Sequence, residues 1–207
     1  MKKENVITEL EDFVKSRAKG YDSGHDWWHI ERVRKLAWRI NENEKLDDPF
    51  IVDVAAIMHD TVDSKFYGDD SGQGYQLVRE LLGRTGLGEL DERIIHIIKN
   101  VSYSNKLKTG DQADPLLLLI QDADKLDAMG AIGIARAFNY GGFRNNIIYS
   151  PVEVENKKST ISHFYEKLLL LKSMMNTTTG KDLANERHEF LEIYLKQFFK
   201  EWDMENQ

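Results

Sequence analysis

Residues 49–66 read PFIVDVAAIMHDTVDSKF. Asp48 and Pro49 form a cap-plus-proline start signal, which predicts a helix running to about His59. Apolar residues occupy most of its circumference, so the helix is expected at the centre of the fold. Its end is abruptly polar: His59 and Asp60, then Asp63 and Lys65. An imidazole and a carboxylate carried to the end of a buried helix are costly unless something partners them. Other segments must therefore bring the partners.

Working outward, nearly every segment repeats at the helical period, and no alternating strand pattern stands out. Towards the N-terminus, Asp26 is placed to cap a helix in which Ile30, Val33, Ala37 and Ile40 share one face, with His29 at its edge. Before it, Val6, Leu10, Phe13 and Val14 form a stripe closed by Gly20. Towards the C-terminus, 61–74 is rich in Asp, Gly and Ser and reads as a loop, and helices are expected at about 75–82 and 91–101. Asp114 and Pro115 repeat the start signal and predict one long helix, LLLLIQDADKLDAMGAIGIARAF. Its Gly130 and Gly133 lower helix propensity, which predicts close approach of a neighbour there. An irregular stretch at 139–158 and two amphipathic helices, about 160–175 and 181–202, complete the chain. With no repeat, linker or low-complexity tract, the expectation is a single all-α domain over 1–207. Its core would span about 20–140, with C-terminal helices at about 159–203 packing on it.

Composition narrows the function classes. The 207 residues suffice for one sizeable core. The absence of cysteine removes disulfides and thiolate metal sites and suits a cytoplasmic protein. No apolar run approaches a membrane span, and the start MKKENVITEL lacks a signal-peptide core. A net charge of −7 argues against a nucleic-acid polymer or an anionic membrane as partner. If the substrate is an anion, positive charge must be gathered locally, by a metal ion or a few Lys and Arg side chains.

Six histidines are present: His25, His29, His59, His96, His163 and His188. His96, His163 and His188 lie on ordinary amphipathic segments and read as structural. A second polar anomaly answers the first: Asp122, Asp124 and Asp127 interrupt the apolar start of the long helix, with Asp124 and Asp127 on one face. Two His and two or three Asp converging would form a mixed nitrogen and oxygen shell. Such a shell suits Mn²⁺, Fe²⁺, Co²⁺, Ni²⁺ or Zn²⁺, and Mg²⁺ less well. Without thiolates it leaves room for water and substrate.

The ordered set His29, His59-Asp60 and Asp124 resembles the H…HD…D signature of the HD superfamily of metal-dependent phosphohydrolases. The segments GHDWWHIERVRKLA, MHDTVDSKF and QDADKLDAMGAIGIARAF resemble a subgroup of small bacterial HD proteins, some of them nucleotide pyrophosphohydrolases. The resemblance implies an all-α HD-domain fold with His29, His59, Asp60 and Asp124 holding one divalent metal, Mn²⁺ first. Where guanosine tetraphosphate hydrolases of this superfamily carry HDxxED, this chain has Asp63 and Ser64, so one of the two acids is kept. It also lacks the further histidines of the two-metal members. The expected reaction is hydrolysis of a nucleoside or deoxynucleoside triphosphate to monophosphate and pyrophosphate by a metal-activated water. Asp63 is the candidate acid or base, and Lys65 the candidate for neutralising phosphate charge. Arg32, Lys65, Lys125 and Asp127 are candidate substrate contacts. Trp27, Trp28, Phe66 and Tyr67 lie near the motifs, and both tryptophans are expected in the core.

Other readings carry weight. HD proteins also include phosphomonoesterases and phosphodiesterases acting on other nucleotides, and a metal-bound domain can serve as a ligand sensor without turnover. The stretch HDWWH resembles the HExxH helix of zinc proteases, but Asp26 stands where that motif has glutamate, one methylene short. The final helix carries Phe190, Leu191, Tyr194, Leu195, Phe198, Phe199 and Trp202. That is more apolar surface than one face needs, and it fits a covered flank of the core in a monomer or a homodimer contact.

Overall fold

A computed structural model of the chain describes residues 1–17, 26–62, 71–101 and 114–203. The secondary structure is entirely helical among these residues: α1 (Lys3–Arg17), α2 (Trp27–Glu44), α3 (Pro49–Met58), α4 (Ser71–Thr85), α5 (Asp91–Asn100), α6 (Pro115–Asp127), α7 (Gly130–Phe143), α8 (Glu153–Asn156), α9 (Thr160–Glu166) and α10 (Thr178–Trp202), with 3₁₀ turns at Gly88–Leu90 and Leu168–Met174. None of the described helices is long and apolar enough to cross a membrane. The described residues gather into two compact units, 1–124 and 125–203, and the boundary falls within α6.

In the first unit α3 is the hub, packing on α2, α1 and α5. Every residue from Val52 to His59 is buried, as the all-round apolar pattern requires. The start signals operate as read. The Asp26 carboxylate accepts from the backbone N–H of His29, that of Asp48 from Phe50, and that of Asp114 from Leu116. Ile30, Val33, Ala37 and Ile40 line the buried face of α2.

Arg34 and Asp53, both buried, tie the three helices together. The guanidinium donates through Nε to Asp53 Oδ1 and through Nη2 to Asp53 Oδ2 at 2.8 Å, while Nη1 reaches Glu11 at 2.7 Å. One fork thus joins α2 to α3 and α1. Burial alone would raise the Glu11 carboxyl, but hydrogen bonds from Lys15 and Arg34 outweigh it and hold it below its ordinary value. A second cluster fixes the entry to α6. Arg93 on α5 donates to both oxygens of Asp114, at 2.6 and 2.7 Å, and to Asp47 at 2.5 Å. Gln121 adds a bond to the carbonyl oxygen of Asn100 at 2.8 Å.

Five expectations need correction. The long helix is two: α6 ends at Asp127, and Gly130 begins α7 at a φ of +67°, which a side chain would strain. The break folds the Ala128 carbonyl so close to Gly133 that a Cβ there would lie 2.3 Å from its oxygen. The glycines therefore serve the break as much as a neighbour. Helix α4 starts at Ser71, inside the expected loop, and α7 runs on to Phe143, inside the expected irregular stretch. The segment expected as one helix from 160 divides into α9 and a 3₁₀ turn. Finally, the two tryptophans are not core. Trp27 is half-buried under the Lys15 ammonium, 4.1 Å above its ring, and Trp28 is 66% exposed. Successive helical residues turn by about 100°, so turning His29, Ile30 and Val33 inward points Trp28 out.

In the second unit α7 packs on α9 and α10, and α10 on the 3₁₀ turn Leu168–Met174. Leu191 and Leu195 are buried, and Tyr194 stacks on Phe164 and meets Phe138 edge-on. Tyr149 packs edge-on against Phe198, Phe199 and Trp202. Tyr194, Phe198, Phe199 and Trp202 thus find ring partners within their own unit, while Phe190 is exposed.

Candidate metal centre

Three elements of the first unit deliver one side chain each. The Asp26 cap places His29 in the first turn of α2, with its side chain 1% exposed. His59 directly follows α3, where Thr61 closes the helix end by donating its N–H and hydroxyl to the Met58 carbonyl, at 3.1 and 2.6 Å. Asp124 lies three turns into α6, whose start is held by the Arg93 cluster.

One nitrogen from each imidazole and one oxygen of Asp124 lie within 4.8 Å of one another, the group of potential metal ligands found among the described residues. His59 Nε2 is 3.4 Å from His29 Nε2, which is 3.5 Å from Asp124 Oδ1. The rings meet edge to face, with centroids 5.3 Å apart. His59 Nδ1 is 2.8 Å from the Ala56 carbonyl oxygen. A carbonyl only accepts, so Nδ1 donates to it, and Nε2 is the nitrogen turned towards His29.

This donor set fits a divalent cation. Two nitrogens bound to one ion at about 2.0–2.1 Å stand about 2.9–3.4 Å apart for angles between a right angle and the tetrahedral angle. The observed 3.4 Å meets the upper end of that range. The Ala56 carbonyl is the kind of partner that fixes the tautomer and ring plane of a ligating histidine. The Asp124 side chain is 30% exposed, so the group opens to solvent on the carboxylate side, where water and an anionic substrate can approach.

The other candidate residues fall in varied places. Asp60, partly exposed, adjoins His59 but is not within the 4.8 Å group. Arg32 is partly buried one turn beyond His29, and Lys125, next to Asp124, is buried. Asp127 is buried and accepts from Arg136 Nη1 at 2.6 Å, an ion pair joining α6 to α7. Asp63, Lys65, Phe66, Tyr67 and His25 lie outside the described residues.

Two contributors escaped sequence reasoning. The Ala56 carbonyl could not be found, because a backbone oxygen leaves no residue signature. The Arg34–Asp53 fork did leave one: Asp53 interrupts an otherwise apolar helix, as Asp124 does in α6.

Comparison with known proteins agrees with this geometry. The HD domain family model matches residues 27–129, a span that holds all three ligand candidates. The YpgQ protein of Bacillus subtilis is 40% identical over 205 residues, 97% of this chain and 96% of that protein. A crystal structure of B. subtilis YpgQ in complex with ADP superposes with a TM-score of 0.77 at 38% identity, covering 94% of this chain and 97% of that one. An HD-superfamily hydrolase from Bacillus thuringiensis gives a TM-score of 0.78 at 38% identity, covering 97% and 98%.

Proposed function

Because the chain belongs to the HD superfamily of metal-dependent hydrolases, we propose that it hydrolyses nucleoside or deoxynucleoside triphosphates to the monophosphate and pyrophosphate at the His29, His59 and Asp124 group. The observation that carries this reading is the convergence of two buried imidazoles and one solvent-facing carboxylate from three helices. The ADP complex of the YpgQ relative supports a nucleotide as the ligand.

His29, His59, Asp60 and Asp124 are the proposed ligands of one divalent cation, Mn²⁺ first. Bound there, it supplies Lewis acidity at a phosphoryl oxygen and brings the pKa of a water towards neutrality. The Ala56 carbonyl orients the His59 ring through Nδ1, which leaves Nε2 as the nitrogen to face the cation. Asp63 takes the proton of the attacking water, whose oxygen bonds to the α-phosphorus as the bond to the bridging oxygen breaks and pyrophosphate leaves. Lys65 is the proposed group that neutralises charge growing on the phosphates, where electrostatic help counts most. Arg32, Lys125 and Asp127 are the further proposed substrate contacts, the first two as positive charge; Asp127 also accepts from Arg136.

The test is turnover with product identification. Purified protein with Mn²⁺ is offered nucleoside triphosphates, cyclic nucleotides and simple phosphoesters. Monophosphate and pyrophosphate in equal amounts are expected from the triphosphates. Orthophosphate as the only product, or cleavage of cyclic nucleotides alone, would replace this reading with a phosphomonoesterase or phosphodiesterase. Silence throughout would leave a metal-bound sensor.

A further inference from the structure

The four tryptophans of the chain divide sharply by surroundings. Trp27 lies under the Lys15 ammonium, Trp38 has the Arg34 guanidinium 4.9 Å from its ring centre, and Trp202 belongs to the aromatic cluster of α10. Trp28 differs. It is 66% exposed, and among the described residues no ring or cation packs on it. It also stands one residue before the buried His29, within the turn of α2 that the Asp26 carboxylate caps.

An indole left in water forgoes the burial that drives large apolar side chains inward. Here the backbone beneath it is fixed by the cap bond to the next residue, so the ring stands on a rigid base. Arg32 follows Trp28 by four residues, on the same side of α2. His29, turned by about 100° from Trp28, faces the ligand group. One turn of helix therefore presents an imidazole to the ligand group and, from the residue before it, an indole to solvent. A nucleotide has the matching layout: phosphates at one end, and a flat base beyond the ribose at the other.

Resting on the nucleotide reading above, we infer that the indole of Trp28 is the platform on which the substrate's base stacks. Stacking on an aromatic face is tolerant of base identity, because every base has a π-face. The enzyme would then select nucleotides over inorganic polyphosphates without strong choice among bases. Removing such a platform typically weakens binding roughly fivefold to hundredfold.

The experiment compares the wild type, Trp28→Ala and Trp28→Phe by calorimetric titration with ADP and with inorganic pyrophosphate, both with Mn²⁺ present. Helical circular dichroism and melting serve as fold controls, and an exposed side chain should leave both near wild type. The expected result is a preference for ADP over pyrophosphate that falls about tenfold or more in Trp28→Ala and mostly returns in Trp28→Phe. ADP should also quench the wild-type tryptophan fluorescence, and that quench should be missing from Trp28→Phe. An unaltered ADP-to-pyrophosphate ratio in a folded Trp28→Ala protein overturns the inference and leaves the nucleotide reading standing. A wild type that binds no nucleotide overturns both, and it does so before any variant is compared.

Discussion

Two polar clusters are buried against α2, and they are built on opposite terms. Around Arg34 the chain supplies both sides: Nε, Nη1 and Nη2 all donate to carboxylates, and both oxygens of Asp53 accept. Around His29 and His59 the grouping is of another kind: two imidazole nitrogens and a carboxylate oxygen face one another. The first cluster is complete as folded and works as a rivet between helices. The second is a group that could hold a cation, at a spacing that fits one. Buried polarity alone does not mark a function; two imidazoles and a carboxylate gathered within 4.8 Å of one another are the better mark.

The largest effect should come from breaking the open cluster. His59→Ala removes the imidazole that Ala56 orients, and Mn²⁺ binding and hydrolysis are expected to fall to background while helical content persists. Calorimetric metal titration with activity in parallel checks this. Retained tight binding would move the centre elsewhere. It would also favour a site built on His25 and His29, the arrangement suggested by HDWWH.

Breaking the closed cluster should cost stability. Arg34→Leu leaves Asp53 buried without its main partner, a change expected to cost about 3–5 kcal/mol of unfolding free energy. Arg34→Leu combined with Asp53→Leu should recover much of that, because paired apolar replacements of a buried ion pair are often close to neutral. Urea unfolding of the two proteins decides it. If the double variant is no better than the single one, Glu11 and the α1 contact hold more of the joint than the Asp53 fork.

Metal itself should separate the clusters next. A cation that binds only the folded form stabilises it by about 2.7 kcal/mol at a hundredfold excess over its dissociation constant. Chelator should therefore lower the melting temperature of the wild type and of Arg34→Leu alike, and leave His59→Ala unmoved. A chelator effect that survives His59→Ala would place the stabilising ion away from this group.

The sequence made one cluster legible and hid the other for a physical reason. His59-Asp60 and Asp124 stood out because each breaks an apolar helix at a point where burial is costly, and the Asp48-Pro49 and Asp114-Pro115 starts secured the helices that carry them. Asp53 broke the same helix α3 by the same logic, but its partner Arg34 looked like an ordinary charge on an amphipathic helix. Pairing across 19 residues is tertiary information that a helical period does not contain. The α6–α7 break was hidden in another way. Gly130 lowers propensity by an amount that tertiary packing can override, and its left-handed backbone is invisible until the chain is folded. Trp28 was misplaced because apolar character was read as burial, when the face set by His29 and Ile30 already pointed it outward.

The smallest expected effect tests whether the closed clusters depend on charge as their geometry implies. The hydrogen bonds from Arg93 hold the Asp114 carboxyl below its ordinary 3.8, against the opposing effect of burial. Glu11 is likewise held below 4.5. A depressed carboxyl binds its proton less readily folded than unfolded, so its contribution is complete above the ordinary value. It is lost as pH falls through the lower folded value. The metal-free protein should thus keep a level unfolding free energy from neutrality to about pH 5 as far as these two groups are concerned, then lose it as the medium becomes more acid. Asp114→Asn can still cap α6, since asparagine is as good a cap as aspartate, but it has no charge to offer Arg93. Its acid slope should be shallower than that of the wild type, with the difference confined to the region below about pH 5. If the two slopes coincide, the Arg93–Asp114 pair holds α6 by hydrogen-bond geometry alone, and charge is not what closes that cluster.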